Sequence, residues 1–483
     1  MLKFVNISQS FPDKFSSRIR KNSFDEIYHK LVKDKAKAQA SRCSQCGIPL
    51  CHIHCPLNNN IPDWLKLAAE ERLEEAFELS SSTNNLPEIC GRICPQDKLC
   101  EGNCVIEKSG YGTVTIGSIE QYITDVAWEK GWIKNINIKQ EKNKSVGIIG
   151  SGPAGLVAAE QLRIKGYQVT IYDRYDRSGG LLIYGIPNFK LEKEVVMNRT
   201  KRLEESGAVF KLNSEIGSTI SFDDIGNKHD AILIATGVYK PKEINLNKND
   251  LLNVVSALDF LIASNKKYLN NKVSEFDSGK LNSLNKNVLV VGGGDTAMDC
   301  VRTAVRQGAK SVKCLYRRDQ DNIPGSQKEV QNALEEGVDF KWLTLPIEYI
   351  GNGKILKTKT ANMQLGSIDE SGRRHPEPVS GSEQIIITDL IIEALGFEPE
   401  NLPKMFDLEE LTVTKSGTLK VDNKTMMTNI SGVFAAGDIV RGASLVVWAI
   451  KDGRDVADQI HQYLEKDLKI TEDNSKNREL DHA

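Results

Sequence analysis

The sequence predicts an α/β protein with two Rossmann-like nucleotide-binding domains, the second inserted in the first, preceded by a small α-helical domain. Three observations predict it. Strand, glycine turn, helix and second strand follow one another from Ser145 and again from Asn287. A further strand–turn–helix segment from Gly432 to Ile450 remains to complete the first unit. Eight of the ten cysteines crowd between Cys43 and Cys104, ahead of both units. At roughly 100–200 residues per domain the chain holds two to four domains, and its 483 residues, 40% hydrophobic, can bury several cores.

Charge narrows the classes of function. Sixty-three Lys+Arg against 65 Asp+Glu leave a net charge of −2, without the basic excess of a nucleic-acid binder. No apolar run approaches the roughly 18 residues that cross a bilayer. Polar residues interrupt the opening MLKFVNISQSFPDKF, so it lacks a signal-peptide core. The expectation is a cytoplasmic protein with neither nucleic-acid nor membrane partner.

The cysteines form two runs, Cys43-x2-Cys46-x4-Cys51-x3-Cys55-Pro56 and Cys90-x3-Cys94-Pro95-x4-Cys100-x3-Cys104. A reducing compartment does not select clustered thiols for disulfides, which points to metal. A Cys-Pro at the end of a closely spaced run suggests iron–sulfur ligation, in which the last cysteine serves the other cluster. Structural zinc is the plainer alternative, but zinc ribbons favour two Cys-x2-Cys pairs and only one is present. His52 and His54 are assigned local hydrogen bonds, and the isolated Cys300 and Cys314 ordinary burial.

Residues 1–42 carry ten Lys/Arg against four Asp/Glu, which reads as a solvated face or a dock for an acidic partner. Between the cysteine runs, Leu65, Ala69, Leu73, Ala76 and Phe77 recur at helical spacing from Ile61 to Leu79, ended by the polar Ser80–Asn85. The polar stretch 131–144 reads as a linker. The boundaries expected are 1–140 for the helical iron–sulfur domain, 141–285 and 397–470 for the two parts of the first nucleotide-binding domain, 286–396 for the second, and 471–483 for a polar tail.

In the first unit, Gly150, Gly152 and Gly155 stand as G-x-G-x-x-G, with Pro153 and Ala154 between the last two. Gly150 permits the turn, Gly152 lets the backbone approach a pyrophosphate, and Gly155 lets the helix pack on the strand. The helix N-terminus then faces the phosphates. Asp173 ends the second strand, where a carboxylate accepts from ribose hydroxyls. In the second unit Gly292, Gly293 and Gly294 make the turn, and Asp295 and Thr296 begin the helix. Arg317 and Arg318 stand where the first unit has Asp173, and guanidinium groups bind a 2′-phosphate that a carboxylate would repel. The first site therefore reads as FAD and the second as NADP(H), with Asp319 tempering that preference.

Two buried strands follow, AILIATG ending at Thr236 and Gly237, and IIEALG ending at Gly396. In the Gly432–Ile450 segment, the Gly437–Asp438 turn would put Asp438 on the ribityl or pyrophosphate part of a flavin, with a helix starting near Ser444. The stretch GLLIYGIP from Gly180, with Leu181, is expected to line the flavin.

The motifs CSQCGIPLCHIHCPLNNNIPDW, PEICGRICPQDKLCEGNCVIE, GSGPAG, GGLLIYGIPNFKLEK, GGGDTAMDC, CLYRR and AAGDIVRGASLVVWAI resemble, along the whole chain, the small (beta) subunit family of bacterial NADPH-dependent glutamate synthase. Close relatives include the electron-input half of dihydropyrimidine dehydrogenase. The resemblance implies two 4Fe-4S clusters, one on Cys43, Cys46, Cys51 and Cys104, the other on Cys55, Cys94, Cys100 and Glu120, leaving Cys90 spare. It also implies hydride transfer from NADPH to FAD, with electrons then passed singly to the clusters, and no residue acting as acid or base.

Nothing in the chain looks like a glutaminase cysteine or a barrel for FMN and 2-oxoglutarate. Making two glutamates from glutamine and 2-oxoglutarate is therefore expected to need a separate large (alpha) subunit. The alternatives are the same module serving a ferredoxin or a dihydropyrimidine-reducing subunit, or a non-catalytic partner protein with structural zinc. Thioredoxin reductase chemistry lacks its Cys-x-x-Cys pair.

Overall fold

The computed structural model describes residues 3–247, 251–368 and 374–480. Its first sheet is fully parallel, with strands Val433–Ala435, Ala231–Ile234, Ser145–Ile149, Gln168–Tyr172 and Val209–Lys211 in that order. Ala231–Ile234 is buried along its whole length, as strands covered on both faces are. Helices Pro153–Ile164 and Val446–Leu480 cover one face, where Leu156 and Leu162 share a core with Val456, Ile460, Ile148 and Leu233. The two helices cross closely at Gly453, where a Cβ would come 2.5 Å from the Ala154 carbonyl oxygen.

The second sheet repeats this order with Val254–Ser256, Leu390–Glu393, Asn287–Val291, Ser311–Leu315 and Asp339–Lys341. Strand Val254–Ser256 and the helix Ala257–Tyr268 pack within this unit, so it starts before the expected boundary at 286. The strand is only three residues long and carries no period that the sequence could reveal. A four-stranded antiparallel sheet spanning Thr344–Asn352, Lys354–Ile368, Arg374–Pro378 and Gln384–Ile387 was not anticipated either. The crossings between units pair as a short antiparallel ladder, Lys240–Pro241 with Phe397–Glu398. The terminal helix runs through the expected tail boundary to Leu480, and residues 481–483 of that tail lie outside the described residues.

The helical domain packs Ile61–Ala69, Leu73–Thr83, Pro87–Ile93 and Ile116–Glu129 around Trp64, Ile119 and Ile123. The stretch expected as one helix is two, broken where Glu71 takes φ +65°, and the second continues past Ser80 to Thr83. Residues 131–144 form neither helix nor long strand, yet Ile136 is buried against the first sheet.

The basic N-terminal face finds its acidic partner within the chain. Lys14 and Arg20 both pair with Glu335 of the second unit, and Arg306 donates to the Ser23 carbonyl at 3.0 Å. A second tie is fully buried: Arg199 of the first unit donates to Glu88 of the helical domain at 2.5 and 2.8 Å. Among the described residues no helix is long and apolar enough to cross a membrane.

Candidate functional site

The carboxyl ends of the first sheet and the glycine turn enclose a pocket. Gly150, Gly152, Pro153, Ala154, Asp173, Gly180, Leu181, Thr236, Gly237, Gly437 and Asp438 all line it. Gly155 lies behind, where a Cβ would come 2.0 Å from the Gly150 carbonyl oxygen, whereas a Cβ on Gly152 meets nothing within 4 Å. The space over Gly152 is therefore open for a phosphate at the helix N-terminus. The Thr236 hydroxyl is buried without a hydrogen-bond partner, a donor that a ligand could satisfy. These features fit FAD.

Asp173 has structural bonds as well. Ser151 donates to its Oδ2 from N–H at 2.8 Å and from the hydroxyl at 2.5 Å, and Tyr175 N–H donates to Oδ1 at 2.9 Å. Its carboxylate thus braces the glycine turn while the residue lines the pocket. Burial pushes the Asp438 carboxyl up to about 7, and a neutral carboxyl can donate to a ribityl or phosphate oxygen. The stretch from Gly180 is a helical turn, Leu181–Tyr184, rather than a loop. Lys193 fastens it, donating to the carbonyls of Leu182 at 3.2 Å and Ile186. With no acid bonded to it, burial pushes the Lys193 ammonium down to about 7.

In the second unit, helix Asp295–Arg306 starts from Gly294, and Gly293 lies so near Tyr316 that a Cβ would come 2.4 Å from its ring. Asp295 does not face open solvent: its Oδ1 accepts from Ser326 N–H at 2.9 Å. Thr296 follows in the first helical turn. Tyr316 separates the strand end from Arg317 and Arg318. Arg317 is exposed, and Arg318 Nε is buried with no partner. That unused donor fits a phosphate.

The cysteines separate into two cavities. One is lined by Cys43, Cys46, Cys51 and Cys104, the other by Cys55, Cys94, Cys100 and Glu120. Cys90 also lines the second cavity. Cys51 and Cys55, one turn apart at the short helix Leu50–Ile53, point into different cavities, and Ile116 lines both. Burial pushes the Cys43 thiol up to about 11 and the Cys51 thiol to about 12, so bound metal is what would deprotonate them. Glu120 is buried, accepts from Asn84 at 3.2 Å, and is pushed up to about 8 by burial. Among the described residues no three His, Cys, Asp or Glu side chains converge closely enough to hold a single ion. Zinc needs its ligands gathered about 2.3 Å from one point, whereas a cubane cluster carries its thiolates on the outside of a larger body. The donor sets therefore fit clusters better than zinc. His52 Nδ1 lies 3.0 Å from the Asn59 carbonyl oxygen, the local bond expected of it.

Several contributors escaped sequence reasoning. Tyr239, Ser444, Leu445 and Val446 also line the flavin pocket, Val447 lines the second cysteine cavity, and Lys193 fastens the Leu181–Tyr184 turn from the end of the stretch GGLLIYGIPNFKLEK. Ser444 to Val447 and Lys193 lie inside stretches that carry the family resemblance, which was their only signal, and Tyr239 lies outside them.

Comparison with known proteins agrees with this geometry. Residues 20–132 match the family described as dihydropyrimidine dehydrogenase domain II, 4Fe-4S cluster, and residues 144–453 the pyridine nucleotide-disulphide oxidoreductase family. The NADPH glutamate synthase small chain of Azospirillum brasilense is 58% identical over 463 residues, 96% of each chain. That of Escherichia coli K12 is 46% identical over 471 residues, 96% of this chain and 98% of that one. The structure of Mycobacterium tuberculosis FprA in complex with NADPH shares the two-unit fold, with a TM-score of 0.57 and 20% identity over 68% of this chain and 87% of that one. The chain belongs to the family of NADPH-dependent glutamate synthase small chains, and is an NADPH-dependent oxidoreductase that joins a flavin- and NADP-binding fold to a 4Fe-4S domain.

Proposed function

We propose that the chain is the electron-input subunit of a glutamate synthase, feeding a separate large subunit that converts glutamine and 2-oxoglutarate to two glutamates. Bound FAD would accept hydride from NADPH and release its two electrons one at a time to two 4Fe-4S clusters. The chain's own residues do the rest by binding and positioning. The glycine turns and helix N-termini hold the two pyrophosphates, and Arg317 and Arg318 select the 2′-phosphate. Lys193 holds the Leu181–Tyr184 turn against the flavin. Cys43, Cys46, Cys51 and Cys104 hold one cluster, and Cys55, Cys94, Cys100 and Glu120 the other.

The observation that carries this reading is an apolar bridge. Leu445 and Val446 line the flavin pocket, the adjoining Val447 lines the cavity of Cys55, Cys94 and Cys100, and Leu182 packs in the same core. A path from flavin to the second cavity, then past Ile116 to the first, needs no exposed group.

Cys100→Ser tests it in the complex with the large subunit. NADPH-driven dye reduction should persist and glutamate formation should fall to background, because the flavin binds in a different unit. Unchanged glutamate formation would take the cysteine domain out of the path. Anaerobic purification from native extract checks the partner. Recovery of a different acceptor protein in place of a glutaminase-bearing chain would keep the electron chemistry and discard the glutamate assignment.

A further inference from the structure

Six arginines are buried among the described residues: Arg20, Arg42, Arg163, Arg199, Arg302 and Arg306. Five pair with a carboxylate. Arg20 meets Glu335, Arg163 meets Glu141, Arg199 meets Glu88, and Arg302 and Arg306 share Glu336. Arg42 is the exception. It is 0% exposed, and its guanidinium donates only to backbone carbonyls: Ile7 at 2.9 Å, Tyr111 at 2.6 Å, Gly112 at 2.8 Å, and Thr113. Glu107 acts on it through space alone.

Carbonyls satisfy the N–H groups, but among carboxylates only Glu107 offsets the charge, and only through space; a buried charge without a bonded counter-ion is costly. The groups beside it account for its presence. Arg42 directly precedes Cys43 and is within electrostatic reach of Cys104, two of the four thiols of the first cavity. A 4Fe-4S cluster on four thiolates is an anion, and taking up one electron makes it more negative by one charge. A fixed cation nearby stabilises the reduced form more than the oxidised one. Gln45 Nε2, 3.3 Å from Cys43 Sγ, and the Ser44 hydroxyl, 3.1 Å from Cys46 Sγ, act in the same direction. At the second cavity, where Glu120 takes the place of the fourth thiolate, the neighbour is instead the carboxyl group of Glu101, which acts on Cys100.

We propose that Arg42 raises the reduction potential of the cluster on Cys43, Cys46, Cys51 and Cys104 above that of the cluster on Cys55, Cys94 and Cys100. The electron leaving the flavin then comes to rest on the cluster of the first cavity, whose lining includes the exposed Val105. Arg42 is a tuning residue that touches no substrate. The inference rests on the two-cluster reading above.

The test is an EPR-monitored redox titration of the full-length holoprotein, prepared anaerobically, as wild type, Arg42→Gln and Arg42→Lys. Iron and sulfide are assayed first; less than two clusters' worth in the wild type would fail the two-cluster reading and this proposal with it, whereas failure of the proposal alone shows only in the potentials. With both clusters present, Arg42→Gln should lower the more positive potential selectively. At the wild-type midpoint, that cluster's reduced-to-oxidised ratio should fall about tenfold, which is about 59 mV for one electron. Arg42→Lys, which keeps the charge, should retain most of the wild-type value. No shift in Arg42→Gln, or equal shifts in both variants, overturns the proposal. Should Arg42→Gln not fold, Cys46→Ser in the otherwise natural chain decides. The signal it alters must be the more positive one, and alteration of the more negative one overturns the assignment.

Discussion

Val446 and Val447, adjacent in the chain, line different chambers: Val446 the flavin pocket, Val447 the cavity of Cys55, Cys94 and Cys100. The start of the terminal helix is thus the partition between the two proposed redox sites. It is held there by its packing on Pro153–Ile164, the helix whose N-terminus faces the open space over Gly152.

Gly152 and Gly155 should separate cofactor binding from folding. Ala at 155 would drive its methyl into the Gly150 carbonyl, so Gly155→Ala should yield little folded protein. Ala at 152 meets no protein atom, so Gly152→Ala should fold with wild-type circular dichroism yet lose most of its FAD on gel filtration. Full FAD content in Gly152→Ala would put the pyrophosphate elsewhere.

Arg318 has an unspent donor, and a hydrogen bond to a charged group contributes about 1.5–3 kcal/mol. At about 1.4 kcal/mol per factor of ten, Arg318→Ala should raise KM for NADPH roughly tenfold or more. NADH, lacking the 2′-phosphate, should be nearly unaffected in the same dye assay. Parallel losses for both nucleotides would mean that Arg318 shapes the strand end and not the phosphate site.

The Glu88–Arg199 pair joins two domains in a buried interface. Removing one partner of a buried pair costs about 3–5 kcal/mol. Glu88→Ala should therefore lower the unfolding midpoint markedly, and Glu88→Ala with Arg199→Met should recover part of the loss. A single variant as stable as the wild type would show that water reaches Arg199.

Lys193 makes stability depend on pH. Burial lowers its ammonium to about 7, against about 10.4 in the unfolded chain. Between those values the unfolded state binds a proton that the folded state lacks, so stability rises as pH climbs from about 7 to about 10. Urea midpoints of the holoprotein over this range should rise more steeply for the wild type than for Lys193→Met. Parallel curves would mean that Lys193 stays charged in the fold.

What the sequence determined by itself is local: the glycine turns, the strands and helices flanking them, and two cysteine runs. Each is written in contiguous residues, because a phosphate turn needs glycine at fixed offsets and a buried strand needs an unbroken apolar run. Tertiary structure alone decided what depends on residues far apart in the chain. Val254–Ser256 enters the second sheet and the basic N-terminal face closes on Glu335; Cys104 joins Cys43 and Glu120 joins Cys55, groupings that the family resemblance implied and no spacing in the sequence could. Spacing carries no information about such partners. They are chosen by which packing buries the apolar faces while leaving the fewest charges unpaired, and Arg42 is the buried arginine that bonds to no carboxylate among the described residues.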